Sequence, residues 1–191
     1  MSTEQKVIRK LRAILSADVK GYSLLMTNDE ASTIQTLKEY RCIMTEIINQ
    51  HSGRAVDAPG DNLLAEFSSV VNAVECSVEI QNVLKIRNDD LPDDKRLVFR
   101  IGVNIGDVVQ DGDSLYGEGV NIAARIEGLA DPGGVCISRG AYDHVRNKLK
   151  WGYEYIGEHS VKNTHLYFLL YNSELSGKRV KGTIIQHICS C

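Results

Sequence analysis

The stretch Tyr116–Arg125 holds two polar side chains with the spacing of one helical turn. The turn-prone Gly117-Glu118-Gly119 precedes an amphipathic run that carries Asn121 and Arg125. On a helix these two side chains lie on the same face. Arg125 has no carboxylate three or four residues away in either direction, so its planar fork of donors is free to bind a phosphate. The alternative is an arginine that is simply solvated at the surface.

A pair of acids is the second group of residues that could do chemistry. Asp18 ends a short apolar run and is followed by Gly21 and Tyr22, where the glycine lets the backbone approach a ligand. Asp61 follows the Pro59-Gly60 turn. Two carboxylates with few other ligands suit Mg²⁺ or Mn²⁺, which keep the rest of their shell for water and substrate phosphate. The alternative is that each acid only caps a turn.

The elements that must position these residues can be read from the apolar patterns. The spacing predicts strands at 13–17, 54–57, 62–67 and 99–105 and helices between them, the first opened by a Thr27-x-x-Glu30 capping box. This order is the ferredoxin-like βαββαβ unit, an α+β fold in which the first and third strands are neighbours. The two acids would then converge. A further helix with Asn121, a strand at Val135–Ser138, a helix from about Ala141 and a hairpin near Tyr153–Tyr171 form a C-terminal extension.

Composition excludes several function classes. The 191 residues carry a net charge of −3, which gives no reason to expect nucleic-acid binding, and no apolar run is long enough to insert in a membrane. The five cysteines form no Cys-x-x-Cys pair, so we expect reduced thiols and a cytoplasmic location. We divide the chain into a basic arm at 1–11, a domain at 12–171, and a tail or truncated linker to a regulatory domain at 172–191.

Five stretches together resemble the class III nucleotidyl cyclase catalytic domain of adenylyl and guanylyl cyclases, most closely the bacterial soluble type. They are L-S-A-D-V-K-G-Y-S at 15–23, G-D-N-L-L-A-E-F at 60–67, R-I-G-V-N-I-G-D-V at 100–108, Y-G-E-G-V-N-I-A-A-R at 116–125 and A-D-P-G-G-V-C-I-S at 130–138. The resemblance implies a cyclase that makes a 3′,5′-cyclic nucleotide and pyrophosphate from ATP or GTP for intracellular signalling. A catalytically weak or inactive module that binds nucleotide or dimerises is the alternative.

The resemblance also implies the roles of the site residues in a homodimer. Asp18 and Asp61 of one subunit would hold two Mg²⁺ or Mn²⁺ ions, while Asn121 of the other would orient the ribose and Arg125 would steady the α-phosphate. Lys162 falls near the triphosphate-binding lysine of the family, although Thr164 and His165 stand where a further basic residue is usual. Gly21 and Tyr22 would also contact the substrate.

The positions that select the purine depart from the adenylyl cyclase pattern. Asp57 stands where those enzymes commonly have a lysine, and Ser114 where they commonly have Asp or Thr. If the 111–115 loop is shifted by one residue relative to the family, Asp113 takes the place of Ser114. A carboxylate accepts from the N1–H and N2–H groups of guanine, and a serine hydroxyl can satisfy O6. We therefore hypothesise that GTP is used at least as well as ATP. The alternative is that Asp57 faces solvent.

Two other functions on the same fold can be compared with this one. A diguanylate cyclase shares the βαββαβ order but needs a Gly-Gly-Asp/Glu-Glu-Phe signature, which the sequence lacks. An RNA-binding ferredoxin-like domain needs aromatic residues on its central strands and a basic face, and neither is present. The sequence also contains no Walker loop and no Gly-x-Ser-x-Gly motif.

Overall fold

A computed structural model describes residues 8–56, 60–156 and 167–171. Its α-helices are α1 Tyr22–Asn28, α2 Glu30–Gln50, α3 Val70–Asp89, α4 Glu118–Glu127 and α5 Arg139–Val145, with a short 3₁₀ turn at Asp93–Lys95. Its strands are β1 Ile8–Val19, β2 Gly53–Val56, β3 Leu63–Phe67, β4 Phe99–Asp111, β5 Ser114–Tyr116, β6 Val135–Ser138, β7 Gly152–Tyr155 and β8 Tyr167–Tyr171.

The described strands form one sheet in the order β2-β3-β1-β4-β6-β8-β7, with β5 paired to β4. Strands β1 to β4 and the helices between them have the predicted ferredoxin-like arrangement, because β1 lies between β3 and β4 and pairs antiparallel with both. Strand β6 joins β4 in parallel, and the antiparallel β7–β8 pair completes the predicted extension. The α+β prediction is therefore confirmed.

The two faces of the sheet are covered differently. Alternate residues of β1 such as Ala13, Leu15 and Ala17 are buried in the main core, which also contains the inner faces of α2, α3 and α5. Ile14 points to the other face and belongs to a smaller cluster with Ala123 of α4. Because side chains alternate along a strand, Ser16 and Asp18 share this second face, so α4 lies on the same side of the sheet as the acid at the end of β1.

Several local predictions need correction. The capping box at Thr27 is wrong, because Thr27 lies inside the unpredicted helix α1, and the side chain of Asp29 accepts from the backbone N–H of Ser32 at 3.1 Å to cap α2. Strand β1 begins at Ile8, so residues 8–11 belong to the sheet and not to the predicted arm. Its long pairing with β4, in which Arg9 lies opposite Val109, supplies the partners that the local pattern could not reveal.

Other parts of the pattern agree closely with the structure. Ser69, one of two predicted caps, accepts from the backbone N–H of Asn72 and begins α3.

Within the ranges 8–56, 60–156 and 167–171, no helix is both long and apolar enough to cross a bilayer. The remaining positions, which include Asp57 and Lys162, lie outside the described residues.

Candidate active site

The two predicted metal-ligating acids come together at the carboxyl end of β1. Ala17 lies opposite Leu63 in the antiparallel β1–β3 pair, so the end of β1 meets the turn before β3. There the carboxylate of Asp61 accepts a hydrogen bond from the backbone N–H of Val19 at 3.1 Å. Asp18 is the residue before Val19. Asp61 therefore lies beside the residue that follows Asp18, at the edge of the sheet where the strand order predicted that the two acids converge.

The chain turns sharply away from the sheet directly after Asp18. Gly21 has a φ of +73°, a left-handed conformation that favours glycine, and its carbonyl accepts from the N–H of Leu24 to begin α1. A β-carbon at Gly21 would meet no heavy atom within 4 Å, so the space above this turn is open. Tyr22, the first residue of α1, packs partly buried against the main core. This open turn next to Asp18 leaves room for a ligand.

Arg100 of β4 is a member of the site that sequence reasoning missed. It lies opposite Asp18 in the β1–β4 pair. Its Nε donates to Oδ1 of Asp18 at 3.0 Å and its Nη2 to Oδ2 at 2.6 Å, so the guanidinium binds both carboxylate oxygens. This hydrogen bonding is the main cause that raises the pKa of Arg100 above its ordinary value. Only the strand register could have revealed the pair, because 82 residues separate its members.

Glu127 is the second residue that the sequence did not reveal. It ends α4, is only 4% exposed, and accepts from the hydroxyl of Ser16 at 2.7 Å. Its side chain also hydrogen-bonds to Asp18, and burial, the largest effect, raises the pKa of Glu127 to about 8. A carboxyl group that is protonated at neutral pH can donate to the Asp18 carboxylate. Asp18 is thus held from two sides.

Asn121 and Arg125 lie on the outer face of α4. Both are exposed, whereas Gly119, Ala123 and Glu127 of the same helix are buried. Neither side chain has a hydrogen-bond or ion-pair partner among residues 8–56, 60–156 and 167–171. Helical geometry turns Arg125 away from Glu127, which faces Asp18. The structure therefore brings the two acids together but does not bring the Asn121–Arg125 pair onto them within one chain.

The predicted purine-contacting segments approach each other across the second face. Nη1 of Arg54, in β2, lies 3.5 Å from the carbonyl oxygen of Asp113 and 3.8 Å from its Oδ1. Val56 and Leu115 are buried in the same small cluster. The β4–β5 hairpin therefore folds over β2, which brings Ser114, the first residue of β5, toward the strand that ends just before Asp57.

The donor set suits a hard cation that keeps part of its shell for other ligands. Asp18 and Asp61 supply only carboxylate oxygens, as Mg²⁺ and Mn²⁺ prefer. Over the described ranges, no group of three or more His, Cys, Asp or Glu side chains is arranged to hold a metal ion. The pair would therefore need water and substrate oxygens to complete the coordination.

Comparison with known proteins identifies the family. A family model described as the adenylate and guanylate cyclase catalytic domain matches residues 9–172. A putative adenylate cyclase 3 from Rhizobium meliloti (strain 1021) is 44% identical over 161 residues, which cover 84% of this chain. The chain spans only 27% of the length of that relative.

Solved structures show the same fold. An adenylate/guanylate cyclase/hydrolase from Silicibacter pomeroyi has a TM-score of 0.80 and 33% identity, and the match covers 87% of this chain and 99% of that one. The non-canonical dimeric guanylyl cyclase domain of the RhoGC fusion protein from Blastocladiella emersonii is 18% identical, with a TM-score of 0.73 over 85% of this chain and 97% of that one. The resemblance stated from the five sequence stretches is thereby confirmed.

Proposed function

Because the chain belongs to the adenylate and guanylate cyclase catalytic domain family, we propose that it converts ATP or GTP into the 3′,5′-cyclic nucleotide and pyrophosphate. The observation that carries this proposal is the convergence of Asp18 and Asp61 at the end of β1, beside an open turn. The product would serve intracellular signalling. Cys42, Cys76 and Cys136 are free thiols, which suits the cytoplasmic location that we propose.

Asp18 and Asp61 would hold two Mg²⁺ or Mn²⁺ ions. When bound, such a pair of ions lowers the pKa of the attacking 3′-hydroxyl and neutralises the charge that develops on the leaving pyrophosphate. The chain itself fixes the position of Asp18 through Arg100 and Glu127, and that of Asp61 through the backbone of Val19. Most of the catalysis would come from such positioning and from charge neutralisation.

The transition-state residues would come from a second protomer of a homodimer. Asn121 and Arg125 face outward without partners among the described residues, while Glu127 of the same helix faces the acids. A symmetric dimer could place the outer face of α4 of one protomer over the acid pair of the other. Asn121 would then orient the ribose, and Arg125 would bind the α-phosphate through its planar guanidinium.

The remaining contacts would fix the nucleotide in the site. Gly21 and Tyr22 follow Asp18 in the open turn and would lie along the phosphates, together with Lys162 at the triphosphate. Ser114 and Asp57 would contact the purine. The relative with 44% identity is named a putative adenylate cyclase, and this similarity favours ATP as the substrate. A carboxylate at position 57 instead favours guanine, and therefore GTP. The two expectations differ and can be tested directly.

The first experiment measures cyclic nucleotide formation by the purified protein. ATP and GTP are each supplied with Mn²⁺ or Mg²⁺, and cyclic product and pyrophosphate are quantified. Formation of cAMP or cGMP in equimolar amount with pyrophosphate supports the proposal, and the ratio of the two kcat/KM values gives the preferred purine. No cyclic product with any combination would overturn it in favour of a nucleotide-binding or dimerising module.

A second experiment tests the division of the site between two protomers. Asp61→Asn and Arg125→Ala are each expected to lose at least about a hundredfold in kcat, since each removes one half of the site. Mixed in equal amounts, the two variants should recover about a quarter of the parental activity, because half of the dimers then contain one intact site. A mixture as inactive as its components would show that the site is not shared.

A further inference from the structure

The Asp18–Arg100 ion pair occupies the carboxylate that the proposed reaction needs for its cations. The two N···O distances of 3.0 and 2.6 Å use both oxygens of Asp18. The side chains are 24% and 20% exposed, respectively, so solvent screens the pair only partly. A cation can bind Asp18 only by sharing these oxygens with the guanidinium or by displacing it.

The positive charge of Arg100 also acts on the other carboxyl groups around Asp18. Asp18, Glu127 and Asp61 all interact electrostatically with Arg100. In the described part of the chain, Arg100 is the only basic side chain in ion-pair contact with Asp18. A positive charge at this place repels any further cation and lowers the affinity of the acids for it.

The guanidinium has another acceptor within reach. Arg100 Nη1 lies 3.5 Å from the carbonyl oxygen of Gly128, just beyond the end of α4. Helical carbonyls at a C-terminus lack intrahelical partners and favour a positive charge. A small rotation toward this carbonyl would therefore release an oxygen of Asp18 without leaving the guanidinium unpaired.

From these contacts we propose that Arg100 is a positioning residue that sets the divalent-cation affinity of the Asp18–Asp61 pair, by competing for Asp18 and by repelling the ion. The inference rests on the proposed function in one respect, that these acids hold the cation. Arg100 orients Asp18 and at the same time weakens its hold on the metal.

The test is a Mn²⁺ titration without nucleotide, in which free Mn²⁺ is followed by electron paramagnetic resonance. Arg100→Gln is expected to lower the Kd for Mn²⁺ at least about tenfold relative to the parent, since it removes both the competitor and the repulsion. Arg100→Lys keeps the positive charge but loses the bidentate guanidinium donor, so a smaller decrease in the Kd for Mn²⁺ is expected. Arg96→Gln removes the same charge from an ion pair with Asp93 and should leave the Kd unchanged.

The sign of the effect separates this role from a purely structural one. A residue that only supported the fold would weaken Mn²⁺ binding when replaced, so an unchanged or higher Kd for Arg100→Gln overturns the proposal, as does the absence of binding by both proteins. If Arg100→Gln fails to fold, as judged by circular dichroism, Arg100→Lys decides by the same criterion. In turnover, Arg100→Gln should need less Mn²⁺ for half-saturation but have a lower kcat, because Asp18 is less firmly oriented.

The two proposals can fail separately. If the parent forms cyclic nucleotide but Arg100→Gln binds Mn²⁺ no more tightly, only the role of Arg100 is wrong. If Arg100→Gln binds Mn²⁺ more tightly but neither protein forms a cyclic product, only the proposed reaction is wrong.

Discussion

Replacement of Gly102 by alanine should displace the helix that carries Asn121 and Arg125. A β-carbon at Gly102 would lie 2.3 Å from the backbone nitrogen of Glu127 and 2.4 Å from the carbonyl oxygen of Ala123. Both atoms belong to the backbone of α4, so no side-chain rotation can relieve the contact. Ordinary contact begins at 3.4 Å, which requires α4 to move outward by about 1 Å.

The cost of this displacement can be estimated from the contacts that it strains. Overpacking of this kind costs about 1–3 kcal/mol, and loss of the Ser16–Glu127 hydrogen bond adds about 1 kcal/mol. We therefore expect Gly102→Ala to lower the free energy of unfolding by about 2–4 kcal/mol. If Asn121 and Arg125 act as proposed, a shift of about 1 Å should also lower kcat roughly a hundredfold.

Urea denaturation and the cyclase assay measure the two effects on the same preparations. Gly128→Ala is the matched control, because Gly128 has helical φ and ψ angles just beyond α4 and its added β-carbon would approach only the carbonyl of Arg125, at 3.4 Å. It should change the free energy of unfolding by less than about 1 kcal/mol. A Gly102→Ala protein as stable and as active as the control would refute the packing argument.

Two further predictions concern Glu127 and Asp57. Because the pKa of Glu127 is raised from 4.5 to about 8, the protonated side chain contributes stability that is fully present below pH 4.5 and is lost as the pH rises to about 8. Glu127→Gln cannot lose this proton, so its melting temperature should fall less than that of the parent between pH 4.5 and about 8. Parallel curves of melting temperature against pH for the two proteins would contradict the raised pKa of Glu127. Asp57→Lys should shift the ratio of kcat/KM values toward ATP by at least about tenfold, and an unchanged ratio would mean that Asp57 faces solvent.

The local pattern of the sequence was sufficient for most of the fold. Apolar runs and caps gave the order of the first four strands and their helices, and the ferredoxin-like order made β1 and β3 neighbours. From that adjacency the approach of Asp18 and Asp61 followed. The errors were local ones: the pattern missed α1, placed the α2 cap at Thr27, and began β1 too late because its first residues depend on partners in β4.

What the sequence by itself determined is the chemistry available to this protein: two acids at the ends of neighbouring strands, and Asn121 and Arg125 on one helical face. Tertiary structure decided what surrounds those residues. Arg100 reaches Asp18 across 82 positions and Ser16 reaches Glu127 across 111, and only the pairing of β1 with β4 and the packing of α4 against them create these contacts. Short-range periodicity fixes which face a side chain occupies, whereas strand register and helix packing fix which distant charge it meets.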